Sequence, residues 1–103
     1  MPVILSKQEN VLTANISGEI DHHNAKKLRE SIDKQTEDEM PKKLVLNFKD
    51  VTFMDSSGIG LVLGRCKLMQ EIGGVVEVVN ISSHTKKVMK LAGLDKLAVI
   101  GKE

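Results

Sequence analysis

The stretch FMDSSGIGL, residues 53–61, decides the local fold of this chain. It follows residues 44–48, a short apolar run whose β-branched and aromatic side chains predict a buried strand. It opens a helical pattern that the Gly73-Gly74 pair ends. The hydroxyls of Ser56 and Ser57 are therefore predicted at a helix N-terminus. Free backbone N–H groups and the helix dipole favour negative charge there, so a phosphate could be added or removed at this position.

The rest of the chain predicts further strands and helices on either side of that stretch. Two strands flank a polar turn at residues 8–10, which indicates a hairpin. A valine-rich strand is predicted at 75–79, a last helix after Ser82-Ser83, and a short strand or a packed tail at 97–100. Strand–helix–strand crossovers imply parallel neighbours. The predicted fold is one α/β domain over residues 1–103, with a mixed, mostly parallel sheet and helices packed on it.

Two helices carry local expectations about their caps and faces. Asp21 or Asn24 is expected to cap the first helix, because both residue types accept hydrogen bonds from free backbone N–H groups. Val88, Leu91 and Ala92 are expected to form the apolar edge of the last helix.

Composition excludes several classes of function. The formal net charge of the 103 residues is +1, so no overall field attracts DNA or an anionic membrane. Phe48 and Phe53 are the only aromatic residues, whereas single-stranded nucleic-acid binders need several stacking rings. Cys66 is the only cysteine, which favours a reducing compartment. No apolar run has membrane-spanning length. We expect a soluble, cytoplasmic protein with no nucleic-acid and no membrane partner.

The helix that begins at the serines carries an unusual strip. Ser56, Gly60, Gly64, Lys67 and Glu71 project along nearly the same line. Each glycine inside a helix costs about 1 kcal/mol relative to alanine, which suggests that something approaches the strip closely. That neighbour is either another helix of the same domain or a partner protein docked beside the first serine.

Simple capping is the ordinary role of the polar residues at this helix start. Asp55 either caps the helix or orients a hydroxyl. Ser57 is rotated about 100° from Ser56 along the helix, so it is better placed to cap or to face inward.

Catalytic and metal-binding patterns are incomplete. His22 and His23 are adjacent and lack a further Cys, His or carboxylate cluster at ligand spacing, so no metal site is predicted. The serines lack the glycine frame of a hydrolase nucleophile elbow. Cys66 falls on the apolar face of its helix, where a buried thiol is expected. The glycine spacing after Asp55 does not form a dinucleotide fingerprint. No catalytic residue and no cofactor is predicted.

Residues 53–65, together with GEIDHH at 18–23 and LAGL at 91–94, resemble the anti-sigma factor antagonist family, whose fold is the STAS domain. The resemblance extends over residues 3–100 and is closest to the anti-sigma-F factor antagonists of spore-forming bacteria. Cys66 departs from the family, where an aromatic residue is common. This difference at Cys66 would affect the packing of the helix rather than the candidate phosphorylation site.

The resemblance implies a regulatory role without catalysis by this chain. The serine after the aspartate is the family's phosphoacceptor, which corresponds to Ser56. Its implied partner is an anti-sigma factor that is also a serine kinase with bound nucleotide. The unphosphorylated form releases a sporulation sigma factor, phosphorylation ends the binding, and a serine phosphatase restores it. The residues expected at the partner surface are Asp21, His22, His23, Asp55, Ser56, Ser57, Gly58, Gly60, Gly64 and Lys67.

Two alternatives stay open at this point. The first is a constitutive STAS subunit of a stress-signalling or transport assembly, which needs no modifiable serine. The second is a small enzyme that uses Asp55, Ser56 and a histidine of the 22–23 pair. That enzyme would require the three groups to converge within hydrogen-bond reach.

Overall fold

The computed structural model describes residues 3–102, which form a five-stranded mixed sheet and three α-helices. The elements, in chain order, are β1 (Val3–Gln8), β2 (Val11–Ile20), α1 (Ala25–Glu39), β3 (Lys43–Met54), α2 (Ser56–Glu71), β4 (Val75–Val79), α3 (Ser83–Leu91), one turn of 3-10 helix (Leu94–Lys96) and β5 (Val99–Lys102). The strand order is β1-β2-β3-β4-β5, with β1 antiparallel to β2 and every other pair parallel. The predicted fold class is confirmed.

The order of the strands places the three helices on one face of the sheet. From β2 to β5, each crossover connects a strand to its immediate neighbour, always in the same direction along the sheet. Because such crossovers are right-handed, every helix lies on the same side of the sheet. Burial along the strands agrees with this arrangement. In β2 and β3 the fully buried side chains alternate with partly exposed ones, as expected when one face is covered. The buried residues of these two strands are Leu12, Ala14, Ile16, Ile20, Leu44, Leu46 and Phe48.

Strands β2 and β3 are longer than the apolar pattern indicates. β2 continues to Ile20, and β3 continues to Met54. The two extensions pair with each other, with register irregularities between Asn15 and Ser17 and between Gly18 and Glu19. The hydrophobic pattern of either segment does not predict this pairing, because it depends on the neighbouring strand. As a result both strands end side by side, at Ile20 and Met54.

The predicted apolar edge of α3 is wrong in part. Leu91 is 83% exposed and Ala92 is also exposed, whereas Met89 is completely buried. The reason is position, because α3 lies at the sheet edge against β5 and the 3-10 turn. Only a narrow stripe of the helix is covered there, and Leu94 from the 3-10 turn fills space beside it. The strand alternative for the last segment is confirmed by β5.

Three asparagines form a ladder across the sheet face opposite the helices. Asn15 donates to the Ile4 carbonyl at 3.3 Å, Asn47 donates to Asn15 at 2.9 Å, and Asn80 donates to Asn47 at 2.9 Å. Asn80 lies just after β4 with φ of 60°, a conformation that asparagine tolerates better than most residues. The ladder therefore holds the β4–α3 connection, and with it the start of α3, against the sheet.

In the described part of the chain, no helix combines the length and the apolar character needed to cross a membrane.

Candidate phosphorylation and docking site

The junction between β3 and α2 places one serine outward and uses an aspartate as the cap. Asp55 has extended backbone geometry, and its Oδ1 accepts a hydrogen bond from the Ser57 N–H at 2.8 Å. Of the two roles expected for Asp55, the capping role is confirmed. Ser56 is the first residue of α2 and is exposed, whereas Ser57 is half-buried. The Ser56 hydroxyl is thus accessible at a helix N-terminus, where the helix dipole favours negative charge.

The Asp55 carboxylate is held in its ionised form by its surroundings. The Ser57 N–H lowers the pKa of this carboxyl from its ordinary value and outweighs the opposing effect of desolvation. The Ser57 hydroxyl and the His22 backbone N–H act in the same direction as the first hydrogen bond. A lowered pKa means that the cap is complete at neutral pH and is lost only as the pH falls through that lowered value.

A second predicted segment meets this junction. The Asp55 N–H donates to the Ile20 carbonyl at 3.1 Å, so the loop after β2 lies beside the start of α2. In that loop, Asp21 accepts from the N–H groups of His23 and Asn24, each at 3.0 Å. Asp21 therefore supplies the side-chain cap at the entrance to α1, and Asn24 makes no such bond. The two segments meet because the carboxyl ends of parallel neighbours lie at one edge of a sheet.

The two adjacent histidines are exposed, and their rings pack edge to face with centroids 5.8 Å apart. Within residues 3–102, no hydrogen bond joins the Ser56 hydroxyl to a histidine ring or to the Asp55 carboxylate. His22 acts on the Asp55 carboxylate through its backbone N–H and, more weakly, through its charge. The arrangement required by the small-enzyme hypothesis is therefore not assembled here. Across the same residues, no three His, Cys, Asp or Glu side chains are grouped in a way that could hold a metal ion.

The glycine strip of α2 faces open space. Among residues 3–102, a Cβ built on Gly60 or on Gly64 would find no atom of another element within 4 Å. Lys67 and Glu71, further along the same line, are exposed. The hypothesis that another helix of the domain packs on this strip is therefore wrong. Free space beside Ser56 is what a docking surface requires.

Gly58 differs from the other two glycines, because it is buried. A Cβ at this position would overlap the Met54 side chain, which packs across the first turn of α2. Gly58 was expected at the partner surface, but the fold buries it. Its role is to allow the close approach of β3 to the helix that follows it.

Two neighbouring grooves extend the site toward α3. The first, of about 270 Å³, separates the start of α2 from α3. It is lined by Met54, Asp55, Ser56, Ile59, His84, Thr85 and Val88. The second, of about 490 Å³, lies at the ends of β3 and β4 and includes Phe53, which is 53% exposed. Sequence analysis missed the α3 residues, and the only local signal was Ser82, which accepts from the Thr85 N–H at 3.1 Å and so sets where α3 begins.

A buried ion pair joins α1 to α2 and was also missed. Arg65 Nε lies 2.8 Å from Asp33 Oδ1, and the arginine is 4% exposed. The two groups are at ion-pair distance but outside hydrogen-bond geometry, and Arg65 Nη1 has no hydrogen-bond partner among the described residues. Burial raises the pKa of Asp33, although Arg65 opposes this effect. The pair depends on two helices that only the folded chain brings together.

Alanine substitutions should change the free energy of unfolding in opposite directions at the buried Gly58 and at the open Gly60. We expect Gly58→Ala to lower the free energy of unfolding by about 1–3 kcal/mol, because Met54 must move to make room. Gly60→Ala is the matched control in the same helix. It should raise the free energy of unfolding by about 0.5–1 kcal/mol, since open space surrounds it and alanine favours the helix. Urea denaturation measures both, and equal effects of the two changes would contradict the assignment.

Comparisons with known proteins give a consistent result. The sequence profile of the STAS domain matches residues 3–102. The chain is 32% identical over 100 residues to an anti-sigma F factor antagonist of Paenibacillus polymyxa, and the aligned region covers 97% of this chain and 86% of that relative. It is 34% identical over 92 residues to the anti-sigma-B factor antagonist of Bacillus subtilis strain 168, covering 89% of this chain and 83% of that relative.

Similar folds occur among solved structures. The anti-sigma factor antagonist SpoIIAA in its unphosphorylated form superposes with a TM-score of 0.81 and 29% identity, over 98% of this chain and 89% of that chain. The Bacillus cell fate determinant SpoIIAA in the phosphorylated form superposes with a TM-score of 0.76 and 29% identity, over 98% of this chain and 92% of that chain.

Proposed function

Since this chain belongs to the STAS-domain family and to its anti-sigma factor antagonists, we propose that it binds an anti-sigma factor serine kinase with bound nucleotide and thereby releases a sporulation sigma factor. Phosphorylation of Ser56 by that kinase ends the binding, and a serine phosphatase restores it. The chain supplies the substrate hydroxyl and performs no catalysis itself. The observation that carries this proposal is the exposed Ser56 hydroxyl at the start of α2, beside an open glycine strip.

The local geometry supports Ser56 over Ser57 as the phosphoacceptor. Ser56 is exposed, and it precedes the turn whose N–H groups the cap uses. Ser57 is half-buried, and its N–H group and hydroxyl both serve the Asp55 carboxylate. A kinase must reach the hydroxyl from solvent. Only Ser56 presents it without breaking the cap.

The proposed docking surface combines the α2 strip with the loop after β2. Gly60 and Gly64 leave room for a partner backbone, and Lys67 supplies a charge at the far end of the strip. The exposed His22 and His23 lie beside the start of the same helix. Small residues flanked by polar ones are suited to close approach followed by hydrogen bonding.

The position of the serine explains how a phosphate can act without unfolding the domain. A phosphate adds about −1.5 to −2 charges, which the N-terminus of a helix tolerates well. Within an interface the same group adds bulk over the glycine strip and repulsion near the ionised Asp55. The solved SpoIIAA structures support this division, because both the unphosphorylated and the phosphorylated form share the present fold.

A second candidate differs in the sigma factor that is released. The identity to the anti-sigma-B factor antagonist, 34%, is as high as the identity to the anti-sigma F factor antagonist, 32%. A binding assay with the two cognate anti-sigma factors of one host distinguishes the candidates. The proposal predicts tighter binding to the factor that holds the sporulation sigma factor.

Phosphate mapping tests the modified residue directly. The protein is incubated with its cognate kinase and ATP, and intact mass and peptide fragments are then measured. We expect one phosphate, on Ser56, and none in Ser56→Ala. Ser57→Ala is the matched control, and it should still accept one phosphate. A phosphate on Ser57, or no modification of the wild-type chain by any kinase encoded beside it, would contradict the proposal.

A further inference from the structure

The groove between α2 and α3 brings a histidine to the same space as Ser56. Ser56 and His84 both line this groove, together with the Thr85 hydroxyl. His84 is exposed and has no hydrogen-bond or ion-pair partner within residues 3–102. Its position is set by Ser82, whose side chain caps α3.

The groove has an apolar floor and a single basic group. Met54, Ile59 and Val88 supply the apolar part of the lining. Asp55 also borders the groove, but its carboxylate is directed to the Ser57 N–H. His84 is thus the only basic side chain in the lining. A phosphate linked to the Ser56 oxygen would border the same groove.

We infer that in the phosphorylated protein the His84 imidazolium pairs with the phosphate on Ser56 and holds it in the groove between α2 and α3. This inference rests on the proposed function, because it requires a phosphate at Ser56. The Thr85 hydroxyl accepts from Ser82 at 3.0 Å and retains its own proton, which it donates to the same phosphate. The phosphate then fills the groove that an apolar side chain of a partner would otherwise enter.

The pairing makes the switched-off state sensitive to pH. Histidine changes charge near neutral pH, and a phosphoserine loses its second proton near pH 6. A charged imidazole ring and a phosphate attract each other most strongly where the charged forms of both coexist. The other charged groups that border His84 are Asp55 across the first groove and Lys49 across the second. Lys86 and Lys87 follow it on its own helix.

The test uses protein with phosphoserine placed at position 56 by an expanded genetic code, so that no kinase is needed. The phosphate is titrated by phosphorus NMR in the wild-type chain and in His84→Gln. We expect the second pKa of the phosphoserine to rise by about half a unit in His84→Gln, since an exposed opposite charge is lost. His84→Lys should restore the lower value and make it independent of histidine titration. Lys90→Gln, on an exposed turn of the same helix outside the groove, is the matched control.

Two results would overturn the inference. One is an unchanged phosphate titration in His84→Gln. The other is an equal shift in Lys90→Gln, which would show only the general field of the helix. Backbone amide spectra give a second measurement, because phosphate at position 56 should move the signals of His84 and Thr85, and changes confined to residues 55–58 would contradict the pairing. Failure of a kinase to modify Ser56 would instead count against the proposed function and leave this titration interpretable.

Discussion

A phosphate on Ser56 should weaken binding to the anti-sigma factor by about 100-fold or more, while the melting temperature of the free domain changes by no more than about 5 °C. Burying a phosphate in an interface without a cationic partner costs several kcal/mol, and each 1.4 kcal/mol is about tenfold in affinity. On the free domain the group lies at the start of α2 and outside any interface, and the helix dipole offsets about 0.3–1 kcal/mol of its effect. Calorimetric titration and thermal denaturation of the two forms measure both quantities.

Three variants isolate the causes of that loss. Ser56→Ala should bind as the unphosphorylated wild type does and stay active in the presence of kinase. Ser56→Asp should bind with intermediate affinity, because it carries less charge in a different shape. Gly64→Leu fills open space on the same strip without adding charge, so it should weaken binding and leave the fold intact. Tight binding by the phosphorylated form, or a melting temperature that falls by tens of degrees, would rule out this mechanism.

Removal of the Asp33 carboxylate should destabilise the domain by about 2–3 kcal/mol. Arg65 is 4% exposed and would be left as a buried charge without its counter-ion, which typically costs about 3–5 kcal/mol. The loss expected here is smaller than that typical cost because the Asp33 side chain is 26% exposed, so water can approach the ion pair. Urea denaturation of Asp33→Ala measures the effect as a lower midpoint with an unchanged slope.

An exposed pair in the same helix is the matched control. Lys34 and Asp38 lie 3.4 Å apart and are 80% and 59% exposed, so Asp38→Ala should cost less than about 0.5 kcal/mol. A double variant, Asp33→Leu with Arg65→Met, should recover to within about 1 kcal/mol of the wild type, because neither charge is then buried alone. Equal losses in Asp33→Ala and Asp38→Ala would show that the buried pair has no special role.

Much of the site was predictable because its geometry is local. The cap formed by Asp55 and Ser57 joins residues two apart, and the cap formed by Ser82 and Thr85 joins residues three apart. Such contacts depend on backbone conformations that residue type alone favours. The exposure of Ser56 follows from the same local geometry, because a helix rotates successive residues by about 100°. The burial of Cys66 follows from helical periodicity.

The parts that were missed or expected wrongly involve residues far apart in the chain. Asp33 and Arg65 belong to different helices, so no local pattern marks them as partners. Leu91 has the spacing of a core residue but remains exposed, because α3 covers only the edge of the sheet. The apolar pattern of β2 ends at Ile16, yet the strand continues to Ile20 by pairing with β3.

By itself the sequence determined the α/β class, the hairpin, the capped helix start and the outward Ser56, since each depends on periodicity or on contacts within a few residues. Only the tertiary structure decided that Gly60 and Gly64 face open space, and that His84 shares a groove with Ser56. The physical reason is the same in both cases. Whether a helix face is covered depends on where the other helices and strands lie. Those positions follow from the whole sheet, because right-handed crossovers that run in one direction along it place all three helices on one face.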